Sequence, residues 1–95
     1  MVAFRRTDWE DENMSRKDEV RAIVGAFGRL PVGIDQVDDH QSLYAAGLTS
    51  HASVDVMLAL EDHFGLEFPE RYLQRATFES VANLTDALDE LLGSE

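Results

Sequence analysis

A serine hydroxyl stands where an apolar helix begins, in the run Gly47-Leu48-Thr49-Ser50-His51-Ala52-Ser53-Val54-Asp55-Val56-Met57-Leu58-Ala59-Leu60-Glu61-Asp62-His63-Phe64. The first turn of a helix presents N–H groups without intrahelical partners and the positive end of the macrodipole, so a phosphate is accommodated there. A hydroxyl at that position can carry a covalently attached phosphodiester at little electrostatic cost. Other chemistries lack their residues. Ser50 and His51 are sequence neighbours on a helix and point in different directions, so they do not form a nucleophile–base pair. His40, His51 and His63 are dispersed and no His-Glu-x-x-His pattern occurs, so no metal site is expected. Asp35, Asp38 and Asp39 lack the alternating acids and glycine of a calcium loop. There is no glycine-rich phosphate loop, and without cysteine neither a disulfide framework nor a thiolate zinc site is available. The chain is expected not to be an enzyme, and Ser50 reads as a handle to which other proteins attach a group.

The elements that must position this serine follow from periodicity. A helix beginning after Ser15, with Asp18 or Glu19 in its favourable first turn, carries Val20, Ile23, Val24, Phe27 and Leu30 at helical steps. Leu30-Pro31 ends it, because the residue before proline avoids the helical region. Residues 34–49 form a long loop with a short turn near Ser42–Ala45, anchored by Ile34, Val37, Leu43, Tyr44 and Leu48. A second helix runs from Ser50 to Phe64 and stops at Gly65, which suits the left-handed position past a helix end. Glu70 to Gln74 form a short third helix. A fourth starts after Thr77 as N-cap and carries Val81, Leu84, Leu88 and Leu91. The expected fold is all-α, a small four-helix bundle of three main helices and a short third, with a long first loop. Residues 1–13 read as a flexible extension in which Phe4 and Trp9 are potential docking residues, residues 14–93 as the folded domain, and 94–95 as a frayed end.

Composition narrows the function classes. Ninety-five residues make one small domain, which buries about 60–65% of its unfolded surface and holds one modest core. No apolar run approaches a membrane span and nothing resembles a secretory segment, so a cytoplasmic location is the default. The net charge of −11, from 19 acidic and 8 basic residues, disfavours nucleic acid and anionic membranes. It speeds encounter with basic protein surfaces and equally serves solubility.

The second helix has two faces. At about 100° per residue, Ser53, Val56, Met57, Leu60 and Phe64 group as the core side. His51, Val54, Asp55, Leu58, Glu61 and Asp62 group on another side, where two aliphatic residues sit among acids. That second side suits a basic, partly apolar partner; the alternatives are that the long loop covers Val54 and Leu58, or that they are simply exposed singly.

Gly47-Leu48-Thr49-Ser50, the helix that follows, the Leu60-Glu61-Asp62-His63-Phe64-Gly65 ending and the Thr77-Phe78-Glu79-Ser80-Val81 segment, taken in order, resemble the acyl carrier and peptidyl carrier proteins. The resemblance spans roughly Ser15 to Leu92. It implies that Ser50 accepts 4′-phosphopantetheine from coenzyme A through a phosphopantetheinyl transferase. Cargo then rides on the arm's thiol as a thioester. It also implies that Val54, Asp55, Leu58, Glu61 and Asp62 lie on the partner-recognition helix. Thr49 stands where fatty-acid carriers usually have Asp and peptidyl carriers often His, and His51 replaces the usual Leu; Thr49 remains able to cap the helix. This variant is most similar to stand-alone bacterial aminoacyl carriers. Those are loaded by amino acid:carrier protein ligases related to truncated seryl-tRNA synthetases. The competing reading is an unmodified acidic helical adaptor, which would share the docking side and differ only at Ser50.

Overall fold

A short polar residue sets the start of each principal helix. In the computed structural model, which describes residues 15–93, Ser15 caps helix α1 (Arg16–Phe27) through a reciprocal box: its hydroxyl accepts from the Asp18 amide while the Asp18 carboxylate accepts from the Ser15 amide. Ser42 caps the four-residue α2 (Leu43–Ala46) within the long loop. Thr49 caps α3 (Ser50–Phe64) and Ser80 caps α4 (Val81–Leu91). The connections contain 3₁₀ turns at Ile34–Gln36, Glu70–Tyr72 and Arg75–Phe78. No strand occurs among the described residues, so the all-helical expectation holds. The assignments for Phe4, Trp9, the 1–13 extension and residues 94–95 lie outside the described residues.

The apolar stripes converge as helical periodicity requires. Val20 and Val24 of α1, Leu43 of α2, Val56 and Leu60 of α3, and Leu84 and Leu88 of α4 are all buried. Phe68 and Phe78 close one end with ring centroids 5.8 Å apart. Helix α1 packs against both α3 and α4. His63 Nε2 of α3 lies 2.8 Å from Glu19 Oε1 of α1, and Arg16 pairs with Asp89 across to α4.

The long loop is held in place by one arginine. Arg21 Nη1 donates to the Val37 carbonyl at 2.8 Å and to Asp39 Oδ1 at 2.9 Å, while Nη2 donates to the Ile34 carbonyl at 2.6 Å. The Leu43 amide donates to the Glu79 carbonyl at 2.7 Å and the Ala82 amide to the Asp39 carbonyl at 2.9 Å, which stitches the loop to the start of α4.

Four local expectations are corrected. Helix α1 ends at Phe27, because Gly28 closes it by donating to the Val24 carbonyl at 2.8 Å; Phe27 then projects 46% exposed instead of joining the core. The short third helix expected over Glu70–Gln74 is present as a 3₁₀ helix limited to Glu70–Tyr72, and the short α-helical piece is α2. Thr77 is buried inside the following 3₁₀ turn, and Ser80, three residues on, supplies the cap to the Asn83 amide at 3.1 Å. Ser53 is only half-buried, its hydroxyl donating to the Ser50 carbonyl at 2.7 Å, so the core side of α3 is built from Ala52, Val56 and Leu60, with Met57 and Phe64 half-buried against it as expected.

Candidate functional site

Ser50 is the first residue of α3 and is exposed. Thr49 has extended backbone angles, and its Oγ1 accepts from the Ala52 amide at 3.0 Å. The first main-chain helical bond runs from the Ser53 amide to the Thr49 carbonyl at 2.9 Å. The amides of Ser50 and His51 therefore precede the helical ladder and stand at the positive end of a 15-residue helix. That first turn contains no acidic side chain, although the chain as a whole carries −11. A phosphodiester on Ser50 Oγ, with its single negative charge, would meet helix amides and no opposing carboxylate there.

The backbone leading into the serine is tightly specified. Gly47 ends α2 at φ 122°, a region that L side chains rarely adopt, and a Cβ there would run into the Pro31 ring. Its amide donates to the Tyr44 carbonyl at 3.1 Å, and the Leu48 amide to the Leu43 carbonyl at 2.9 Å, so the turn folds back on α2 before Thr49. Leu48 is buried and anchors the turn. At the other end of α3, Gly65 adopts φ 68° as expected and donates to the Glu61 carbonyl at 2.9 Å.

A trough of about 390 Å³ opens beside Ser50, walled by Tyr44, Val54, Met57, Leu73 and Phe78. At its rim the Arg75 guanidinium sits 3.9 Å from the Tyr44 ring centroid, a cation–π contact. Neither Tyr44 nor Arg75 was singled out from the sequence as a site residue. Their pairing spans two loops, and no local pattern announces it.

The residues assigned to the outer side of α3 divide into two groups. His51, Val54, Leu58 and Asp62 are exposed, with Val54 at 49% and Leu58 at 52%. The long loop does not cover the two aliphatic residues. Asp55 and Glu61 turn to internal partners. Asp55 Oδ2 lies 2.8 Å from Arg29 Nη2, an ion pair without hydrogen-bond alignment. Glu61 Oε2 accepts from the Phe68 amide at 2.8 Å and thereby fixes the chain after Gly65. Among the histidines, His40 and His51 are exposed and His63 is engaged with Glu19. Among the described residues no group of His, Cys, Asp or Glu is arranged to hold a metal ion, and no helix is long and apolar enough to cross a membrane.

Comparison with known proteins decides the family. The model of the phosphopantetheine attachment site matches residues 18–88. The chain belongs to this family of carrier proteins. It is 42% identical over 73 residues to an aminoacyl carrier protein of Agrobacterium fabrum, covering 77% of this chain and 88% of that protein. Among solved structures it is similar to a complex of an engineered Bradyrhizobium japonicum glycine:carrier protein ligase with a carrier protein from Agrobacterium tumefaciens and ATP. That match has a TM-score of 0.78 and 39% identity, over 80% of this chain and 99% of the matched one. A second complex, of the Bradyrhizobium japonicum ligase with glycylated carrier protein, matches with TM-score 0.66 and 26% identity over 76% of this chain and 96% of the other. The carrier fold and the carrier role read from the sequence are thus both met, and the prosthetic group of the family is 4′-phosphopantetheine. The chain is a carrier and not itself a catalyst.

Proposed function

We propose that Ser50 is the attachment point of the 4′-phosphopantetheine arm and that the cargo is an amino acid held as a thioester. The single observation that carries the attachment site is the exposed Ser50 hydroxyl at a capped helix start whose first turn holds no carboxylate. In the modification, Ser50 Oγ bonds to the pantetheine-bearing phosphorus of coenzyme A. The pyrophosphate bond breaks, 3′,5′-adenosine diphosphate leaves, and the hydroxyl proton passes to a base on the phosphopantetheinyl transferase. The arm supplies a thiol, a group that this cysteine-free chain lacks. Thr49 holds the helix start while the hydroxyl beside it reacts.

The amino acid class is supported by the 42% identity to the Agrobacterium carrier and by the carrier–ligase complexes among the structural neighbours. An amino acid:carrier protein ligase of the truncated seryl-tRNA-synthetase type is accordingly the loading enzyme, working in the cytoplasm on the domain spanning residues 14–93. Val54, Leu58 and Asp62 provide its direct contacts on α3, with His51 next to the arm. Asp55 and Glu61 shape the same face from positions already bonded within the fold. Incubation with coenzyme A and a broad-specificity transferase, read by intact mass, tests the attachment. The wild type should gain one phosphopantetheinyl unit and Ser50→Ala none; an unmodified wild type, or a modified Ser50→Ala, overturns the assignment. Adding ATP, single amino acids and a ligase then tests the cargo, which should be released by hydroxylamine as a thioester is.

A further inference from the structure

The end of α1 forms a second apolar surface beside α3. Phe27, 46% exposed, faces a cleft of about 520 Å³ that it shares with Ala26, Ala59 and Leu58. Exposed apolar residues scattered singly need no explanation. Here two large ones from different helices line one hollow, with the exposed carboxylate of Asp62 on its wall. With Asp55, Asp62 and Arg29 all on its lining, the hollow carries a net negative charge. Helix α1 has no basic residue in its last turn, so its carbonyl end is uncompensated from within the helix. Arg29, the one cation on the lining of the cleft, is paired with Asp55 at 2.8 Å. Asp62 has no ion pair among the described residues. Arg29 makes its contact from a left-handed backbone, φ 55°, a conformation costing a non-glycine residue about 1 kcal/mol. The Arg29–Asp55 pair is thus neutral overall, and Asp62 is left as the unpaired charge of the cleft.

We propose that the Phe27–Leu58 cleft is an anchor pocket for the loading ligase, receiving an apolar side chain of the ligase that has a Lys or Arg beside it to meet Asp62. This rests on the reading of the chain as an aminoacyl carrier and deepens it. The recognised surface extends from α3 onto the end of α1, and selectivity among carriers resides partly at position 27. The apolar contact supplies dwell time, and the cation–Asp62 contact supplies steering.

The test uses the Ser50-modified protein and the engineered Bradyrhizobium japonicum glycine:carrier protein ligase, with each variant's modification verified by mass before glycylation is measured. Phe27→Ser should raise KM for the carrier about tenfold with kcat little changed, and Phe27→Leu should recover most of the loss. Ala26→Arg, which obstructs the cleft from an exposed helical position and leaves Phe27 in place, should raise KM likewise. Val32→Ser, an exposed apolar residue outside the lining, should match the wild type. Asp62→Asn should raise KM and flatten its dependence on salt. Wild-type KM in both Phe27→Ser and Ala26→Arg overturns the pocket while leaving the carrier reading intact. Self-association that depends on Phe27 would assign the cleft to a second copy and also overturn it. Failure of the modified wild type to be glycylated overturns the pairing with this ligase and the pocket together.

Discussion

Replacing Thr49 by alanine removes one defined interaction next to the Ser50 hydroxyl. The lost contact is the 3.0 Å bond from the Ala52 amide to Thr49 Oγ1, which is partly buried. Truncating a Thr cap costs about 0.5–2 kcal/mol, typically ~1, and at this domain size 1 kcal/mol lowers Tm by about 4–8 °C. Thr49→Ser keeps the acceptor and should melt close to the wild type. Thr49→Asp keeps the acceptor and adds charge at the positive helix end, a gain of about 0.3–1 kcal/mol in the unmodified protein. That gain should shrink once Ser50 is modified, because two negative charges then share one helix end. Thermal unfolding by far-ultraviolet circular dichroism, run on the unmodified and modified forms of all four proteins, measures these differences. A Thr49→Ala protein melting within about 1 °C of wild type would refute the view that this cap holds the serine in place, as would a Thr49→Asp gain unaffected by modification.

Two further outcomes follow from the same structure. Leu58→Asp should leave cooperative unfolding intact, because the side chain is already 52% exposed, while slowing aminoacylation of the modified protein at least severalfold; loss of the unfolding transition would show that Leu58 supports the core. Asp39 titrates below its ordinary 3.8, held down first by the hydrogen bond from Lys17 and then by Arg21. Its folded-state value being the lower one, the charged carboxylate stabilises the fold above that ordinary value, and the contribution is lost as pH falls through the folded one. Urea midpoints of wild type and Asp39→Asn should therefore differ at neutral pH and converge below pH ~4; a gap that persists undiminished in acid would refute the assignment.

Much of the site was legible because its determinants are local. The Thr49–Ser50 start and the Gly65 stop of α3 each follow from residues within a turn of the boundary, and Val54 and Leu58 emerge exposed as the helical angle dictates. What escaped was set at long range. The partner of Asp55 is Arg29, 26 positions earlier in the chain, and Glu61 is drawn inward by the Phe68 amide; a helical wheel sees neither. Thr77 and Ser80 are both plausible caps before an apolar stripe, and the choice falls to Ser80 once Phe78 packs on Phe68 and carries Thr77 into the interior. Phe27 continues the α1 spacing, yet the helix closes at Gly28 and the ring is left outside. The loop order imposed by Arg21 likewise depends on three acceptors far along the chain.

The crossing of Gly47 with Pro31 bears on transplantation. Ser50 lies three residues beyond it, so the position of the serine depends on a van der Waals stop supplied by a separate stretch of backbone. A tag made of the short serine-bearing helix alone would leave that stop behind. The portable unit for labelling another protein is instead the whole described bundle, because Arg21 of α1 and the Glu79 carbonyl before α4 also fasten the loop that leads to the serine.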